Sequence, residues 1–129
     1  MEPDIDILTD KIIGCAYKVH NTLGAGFLEK VYENAFRIEL KKADLSVQQQ
    51  LPIRVYYDGQ NVGDYYCDLF VEDRVLIELK VAESLAKEHE LQLVNYLKAT
   101  GIETGLLINF GKSVQIRRKF REEKPASHD

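Results

Sequence analysis

The sequence lacks both a long apolar run and a secretion signal. A membrane-spanning helix needs roughly 18 or more consecutive apolar residues, and no stretch of the chain approaches that length. Residues 1–4 are acidic at two positions and do not lead into the apolar core that a signal peptide requires. These absences argue against a helical membrane protein, and we expect the protein to reside in the cytoplasm.

Cysteine is scarce, and the two that are present, Cys15 and Cys67, lie far apart. Neither has a partner at the spacing of zinc ligands. Without a secretion signal, two small buried thiols are a better interpretation than a disulfide. The sequence also has no P-loop, no Rossmann glycine pattern, no nucleophile elbow and no zinc-finger spacing.

The charge balance is acidic, with a formal net charge of -4. This argues against a protein whose whole surface attracts nucleic acid. A local basic patch stays open as an interpretation, although scattered surface cations explain most basic residues better. The basic residues near the C-terminus are Lys112, Arg117, Arg118, Lys119, Arg121 and Lys124.

Hydrophobic periodicity predicts a single α/β domain over residues 1–129, with the element order ααβββαββ. Asp6 or Thr9 is expected to cap the first helix. Asp58-Gly59 is a strong hairpin signal. A meander followed by a helical crossover predicts a mixed sheet flanked by helices. The predicted helices are 6–23, 27–43 and 85–100, the predicted strands are 47–57, 62–71, 74–81, 104–110 and 114–120, and residues 121–129 form a polar tail.

The third predicted strand carries two charged residues on one face. Because side chains alternate along a strand, Glu78 and Lys80 project together while their apolar neighbours Ile77 and Leu79 face the other way. Burying charges is costly unless they are paired or bind something. Taken alone, however, this pattern is more often an exposed ion pair on a half-solvated sheet.

A further carboxylate, Asp68, lies on the preceding predicted strand. A tight turn at Glu72-Asp73 would fold the two strands together and bring Asp68 beside Glu78. Two adjacent carboxylates repel each other, and oxygen ligands favour Mg²⁺ or Mn²⁺ as the cation that relieves the repulsion. Lys80 would then position a water molecule and offset charge on a phosphate, which indicates metal-assisted phosphodiester hydrolysis.

These residues resemble the PD-(D/E)XK nuclease signature, with Asp68 followed by Glu78-x-Lys80 across a hairpin. The element order is similar to that restriction-endonuclease-like core, with one extra N-terminal helix. Cys67 stands where a proline would precede the aspartate, a departure that is common in the superfamily. The resemblance implies that Asp68, Glu78 and the backbone carbonyl of Leu79 hold the metal, and that Lys80 orients the attacking water.

The start of the second predicted helix is similar to another motif. Gly26, Glu29 and Tyr32 match the G-x-x-E-x-x-Y pattern that names a family of small bacterial and archaeal proteins in the same superfamily. The resemblance implies that Glu29 approaches the metal site and holds a second metal ion or its water shell. A surface glutamate stabilised by the helix dipole is the simpler alternative, and Glu33 is the competing candidate.

The later helix carries Gln92 and Tyr96 on one stripe with His89. Gln92 and Tyr96 resemble the Q-x-x-x-Y motif of RecB-like exonucleases, which implies that they line the site and position the substrate. A polar seam between helix and sheet is the alternative. His20 could match a metal-ligating histidine of some RecB-like nucleases, but a histidine favoured by the helix dipole is the better-supported explanation.

Two function classes follow from these patterns. The first is a Mg²⁺- or Mn²⁺-dependent nuclease whose partner is nucleic acid, in particular DNA, with RNA or a nucleotide as a weaker alternative. The second is a non-catalytic or partner-dependent module that keeps the fold and binds nucleic acid or a protein. A two-fold dimer is a further expectation, because so small a core offers little surface for holding a duplex.

Overall fold

The computed structural model describes residues 4–122 and confirms the predicted order of elements. The second and third helices each begin two residues later than predicted, and the second strand begins two residues earlier. Residues 1–3 and 123–129, which include most of the predicted tail, lie outside the described residues. The elements are α1 (Ile5–Leu23), α2 (Glu29–Lys42), β1 (Val47–Tyr57), β2 (Gln60–Val71), β3 (Val75–Lys80), α3 (Lys87–Thr100), β4 (Thr104–Phe110) and β5 (Val114–Phe120).

Within the described part of the chain, five strands form a sheet in the order β1-β2-β3-β4-β5. Neighbouring strands are antiparallel except β3 and β4, which run parallel. A parallel pair needs a long crossover connection, and α3 supplies it. The predicted α/β class, with a mixed sheet flanked by helices and an extra N-terminal helix, is therefore confirmed.

Both faces of the sheet are covered by helices. On one face, Ile77 and Leu79 of β3 pack with Phe36 of α2 and with residues of α1. On the other face, Leu76 packs with Leu93 of α3. The alternation along β3 therefore directs its even-numbered residues toward the side of α3.

The ends of the helices show why they begin and stop where they do. Asp4, rather than Asp6 or Thr9, caps α1, because its carboxylate accepts a hydrogen bond from the Asp6 amide at 2.7 Å. Thr9 lies inside the helix, where its hydroxyl donates to the Asp6 carbonyl. Gly101 ends α3 with a φ of 76°, and its amide donates to the Leu97 carbonyl at 2.9 Å.

Both cysteines are free and buried, as predicted. The Cys67 thiol donates to the Ile77 carbonyl at 3.3 Å. Burial raises the pKa of Cys15 and of Cys67, so neither thiol has the character of a reactive nucleophile. Across residues 4–122, no helix is long and apolar enough to cross a membrane.

Candidate functional site

Two tight turns fold β1, β2 and β3 into a meander. Asp58 and Gly59 have φ values of 52° and 73°, and Glu72 and Asp73 both have a φ of 53°. Positive φ at both positions suits the two-residue hairpin of Asp58-Gly59, which joins the paired residues Tyr57 and Gln60. The second turn is one residue longer, because its three residues 72–74 join the paired residues Val71 and Val75. Both sequence-based turn predictions are confirmed, and the second turn sets the register of β3 against β2.

Asp68 and Glu78 lie where the ladder between β2 and β3 ends. The last paired residues are Leu69 and Ile77, and continuing this register places Asp68 opposite Glu78. Side chains link the strands at this point: the Asp68 amide donates to Glu78 Oε1 at 3.1 Å, and the Leu79 amide donates to Asp68 Oδ2 at 2.8 Å. Each carboxylate is therefore fixed by a backbone amide of the opposite strand.

Ionisation of the Asp68 and Glu78 carboxyl groups is unfavourable in this buried position. Glu78 is 5% exposed, and its burial together with the charge of Asp68 raises its pKa to about 8. Burial also raises the pKa of Asp68, although the hydrogen bond from the Leu79 amide acts in the opposite direction. Because like charges in a poorly solvated site repel strongly, the pair favours a bound cation or a retained proton.

Lys80 extends from the same strand, two residues beyond Glu78, and is half-buried. The pKa values of Asp68, Glu78 and Glu29 are all raised, and the positive charge of Lys80 partly offsets each rise. Its ammonium group is therefore within electrostatic reach of all three carboxylates. The structure thus brings Asp68, Glu78 and Lys80 close together where the β2–β3 ladder ends.

The start of α2 adds two glutamates. Glu29 is exposed, but partial desolvation and the nearby charge of Asp68 raise its pKa. Glu33, the competing candidate, is 3% exposed, and its carboxylate accepts from Lys30 Nζ at 2.9 Å. Its charge also raises the pKa of Asp68. Both glutamates therefore adjoin the carboxylate pair, one at the surface and one buried.

Two glutamines of β1 connect Glu33 to the site, and sequence analysis did not identify them. Gln49 Nε2 donates to Glu33 at 2.6 Å, while Gln50 Nε2 donates to Glu33 at 3.0 Å and to Asp68 Oδ1 at 3.3 Å. Gln50 also has a φ of 54°, which is uncommon for a residue with a side chain. The available signal was the run of three glutamines at 48–50 in a predicted strand.

Gly26 and Tyr32, which flank Glu29 in the sequence motif, occupy structural positions. Gly26 has a φ of 107°, which glycine adopts without steric cost. The buried Tyr32 hydroxyl donates to the Gly24 carbonyl at 2.5 Å and accepts from the Phe27 amide at 3.3 Å. Its ring stacks on Phe110 with centroids 4.9 Å apart. These contacts hold the loop before α2 and so fix the start of that helix.

Gln92 and Tyr96 of α3 lie beside the carboxylates. Gln92 Nε2 donates to the Tyr96 hydroxyl oxygen at 2.9 Å. Burial, followed by the charge of Glu78, raises the pKa of Tyr96 to about 12, so Glu78 lies within electrostatic reach of this hydroxyl. His89 has a local contact at the start of α3, where its Nδ1 accepts from the Ala86 amide at 3.1 Å.

His20 is tied to the turn between β4 and β5, where its Nε2 donates to the Gly111 carbonyl at 2.8 Å. A side chain at position 111 would place a Cβ 2.5 Å from the Ala82 carbonyl oxygen. The backbone is therefore closely packed where His20 binds. This hydrogen bond favours a structural interpretation of His20.

Several basic residues near the C-terminus are engaged by acidic partners. Exposed ion pairs of this kind contribute little stability, but they reduce the positive charge available to phosphates. Lys124 lies outside the described residues. The ion pairs are Arg118 with Asp6, Lys119 with Glu90, and Arg121 with Glu103.

The donor chemistry of the site suits a hard divalent cation. Among residues 4–122, no three side chains from His, Cys, Asp and Glu converge as a metal cage. Mg²⁺ does not require one, because it keeps several waters and often uses only one or two carboxylates. Asp68 and Glu78 offer such a pair, and their mutual repulsion is a cost that a cation would offset.

Comparison with known proteins identifies a family and shows a similar fold among solved structures. The family model of the PD-(D/E)XK nuclease superfamily matches residues 6–121. A search of the curated proteins found no match. The crystal structure of SSO0001 has a TM-score of 0.59 and 16% sequence identity, and the alignment covers 74% of this chain and 50% of that one. This chain thus spans about half the length of that structure. Together the two matches confirm the restriction-endonuclease-like fold.

Proposed function

The chain belongs to the PD-(D/E)XK nuclease superfamily, and we propose that it is a metal-dependent nuclease that hydrolyses phosphodiester bonds in DNA. The observation that carries this proposal is the pair of carboxylates, Asp68 and Glu78, each fixed by an amide of the opposite strand. Lys80 adds a positive charge beside them. A carboxylate pair with a lysine supplies the groups that metal-assisted hydrolysis needs.

Asp68, Glu78 and the backbone carbonyl of Leu79 would hold Mg²⁺ or Mn²⁺, and Glu29 would hold a second metal ion or its water shell from the start of α2. All of these donors are oxygen atoms, which suits hard cations. When bound, the cation would act as a Lewis acid that stabilises negative charge on the phosphate. The rigid backbone contacts of Asp68 keep this donor set in place without reorganisation.

The remaining residues would act directly on water and substrate. Lys80 orients the attacking water and offsets the charge that develops on the phosphate. The raised pKa of Tyr96, about 12, keeps its hydroxyl protonated at neutral pH. Gln92 donates to the oxygen of that hydroxyl, so the Tyr96 proton is free to be donated to a substrate oxygen.

Three accompanying expectations belong to the same proposal. Residues 1–129 form one domain, the protein works in the cytoplasm, and two copies associate as a two-fold dimer. The dimer would widen the surface available to a duplex. Light scattering on the purified protein tests it directly, and a monomer at all concentrations would contradict it.

The direct test is cleavage of circular DNA, both single-stranded and as a duplex plasmid, by purified protein with Mn²⁺. Lys80→Ala is expected to lower the rate by about 100-fold or more, because the variant loses both the group that orients water and a charge in the transition state. Lys41→Ala, an exposed position on the last turn of α2, is the control and is expected to cut at the wild-type rate.

Equal cleavage by wild type and Lys80→Ala would mean a contaminating enzyme or a different site. If wild-type protein neither cleaves DNA nor binds Mn²⁺, the non-catalytic binding module replaces the nuclease proposal. Calorimetric titration distinguishes a protein that binds Mn²⁺ without cutting DNA from one that does not bind Mn²⁺, because only the first gives a binding isotherm.

Gln50 is expected to position Asp68 rather than to contact the substrate. Gln50→Asn keeps a residue that tolerates positive φ but is too short for both hydrogen bonds. Loss of such a supporting contact typically costs about 10- to 100-fold in metal affinity or activity. The exposed Gln48→Asn is the matched control. A Gln50→Asn enzyme with unchanged Mn²⁺ affinity and rate would contradict this role.

A further inference from the structure

A groove of about 900 Å³ lies between the outer part of the β1–β2 hairpin and α3. This volume is at the upper end of the range for ligand clefts, about 300–1,000 Å³. The hairpin contributes Arg54, Val55, Tyr56 and Tyr65 to its walls. The helix contributes Glu88, His89, Leu91, Gln92, Asn95, Tyr96, Lys98 and Ala99.

The groove shares two residues with the candidate catalytic site. Gln92 and Tyr96 line the groove, and the charge of Glu78 reaches the Tyr96 hydroxyl. The ring of Tyr65 contacts that of Tyr96, with centroids 5.7 Å apart. A ligand that follows the groove past Tyr65 therefore reaches Tyr96, whose hydroxyl is within electrostatic reach of Glu78.

The outer wall of the groove exists because β1 and β2 extend beyond β3. The ladder with β3 covers only Leu69–Val71, whereas β1 and β2 stay paired to their turn at Tyr57. Gly63 lies beneath the Tyr65 ring, where an added Cβ would be 3.1 Å from the ring. Tyr65 and Tyr56 remain 46% and 60% exposed, so aromatic surface is presented to whatever enters.

We propose that this groove binds single-stranded nucleic acid and leads it to the cleavage site. The inference rests on the proposed function and specifies its substrate class. Exposed tyrosine rings stack on unpaired bases of any sequence, whereas bases inside a duplex have no free faces. Arg54 and Lys98 lie along the walls, each in an exposed ion pair, with Asp64 at 3.7 Å and with Glu122 at 3.3 Å. Such pairs are weak, so a phosphate of the same strand can take the place of the carboxylate.

The first test measures binding without cleavage, by fluorescence anisotropy in EDTA. The probes are labelled oligo-dT and oligo-U of about twelve nucleotides, a length within the usual range of single-strand sites, and a duplex of matched length. We expect one or both single strands to bind at least tenfold more tightly than the duplex. Equal or tighter binding of the duplex would overturn the proposal.

The second test uses tyrosines of the same hairpin as matched pairs. Tyr56→Ala and Tyr65→Ala are each expected to weaken single-strand binding by about 5- to 100-fold, the range for loss of one stacked base. Tyr57→Ala and Tyr66→Ala are the controls, since both rings are exposed but lie outside the groove lining. Equal losses in variants and controls, or no loss in any of them, would contradict the groove as the binding site.

The outcomes for the groove and for the nuclease remain separate. Because Tyr56 is exposed, Tyr56→Ala is the variant least expected to disturb the fold. Circular dichroism checks that each variant is folded. If oligonucleotides bind through the tyrosines but Mn²⁺ produces no cleavage, the groove stands and the nuclease proposal fails. If the protein cuts DNA while Tyr56→Ala and Tyr65→Ala bind single strands as well as wild type, the nuclease stands and the groove proposal fails.

Discussion

Replacing Asp68 with asparagine is expected to abolish Mn²⁺ binding and to lower DNA cleavage by about 10²–10³-fold. Both oxygens of the Asp68 carboxylate are held in place, since they accept from the Leu79 amide and from Gln50 Nε2. Asparagine keeps the size and one acceptor oxygen but carries no charge. The variant therefore tests the ligand role with little change in shape.

Although Asp68→Asn is expected to lose activity, it is not expected to lose stability when the metal is absent. The folded state raises the pKa of Glu78 from 4.5 to about 8, so it holds this proton more tightly than the unfolded chain does. The metal-free protein therefore loses stability as the pH rises from about 4.5 to about 8. At about pH 9, Asp68→Asn removes one of two repelling charges, and its melting temperature should equal or exceed that of wild type.

The control for both effects is Asp73→Asn. Asp73 is exposed in the turn of the same hairpin and has a φ of 53°, a conformation that asparagine tolerates well. The Asp73→Asn protein should bind Mn²⁺ and cleave DNA as wild type does. Wild-type Mn²⁺ affinity in Asp68→Asn would remove Asp68 from the metal site. A large fall in its melting temperature would show that the carboxylate is structural instead.

Replacing Gly111 with alanine is expected to destabilise the protein by about 1–3 kcal/mol. The added Cβ would lie 2.5 Å from the Ala82 carbonyl oxygen, which is backbone and cannot rotate away. That carbonyl also accepts from Asn109 Nδ2 at 2.8 Å, and the Gly111 carbonyl accepts from His20. The substitution would therefore strain the contacts that secure the chain just beyond β3 and Lys80.

Thermal unfolding measures this effect, with Gly14→Ala as the contrasting variant. Gly14 lies inside α1 and an added Cβ meets nothing within 4 Å, so alanine there should stabilise the protein by about 0.5–1 kcal/mol. The two changes add the same methyl group and should move the melting temperature in opposite directions. Equal shifts, or a neutral Gly111→Ala, would mean that the turn after β4 adjusts freely.

The sequence by itself determined the order of the elements and the local geometry of both hairpins. Alternation along β3 placed Glu78 and Lys80 on one face, and the positions of the two turns followed from Asp58-Gly59 and Glu72-Asp73. These features depend on neighbours within a few residues, so periodicity and turn chemistry suffice to predict them. The predicted caps of the first helix, Asp6 or Thr9, were wrong, because the helix begins earlier and the Asp4 carboxylate accepts from the Asp6 amide.

Only the tertiary structure decided how the site is assembled. The contact of Asp68 with the Leu79 amide depends on where the β2–β3 ladder ends, and the bridge from Gln50 to Glu33 joins residues 17 apart. Such contacts are set by strand register and by the angle at which α2 meets the sheet, which no local pattern encodes. The groove lined by Tyr56 and Tyr65 also depends on the tertiary structure, since it forms between the β1–β2 hairpin and α3, which come together only in the folded protein.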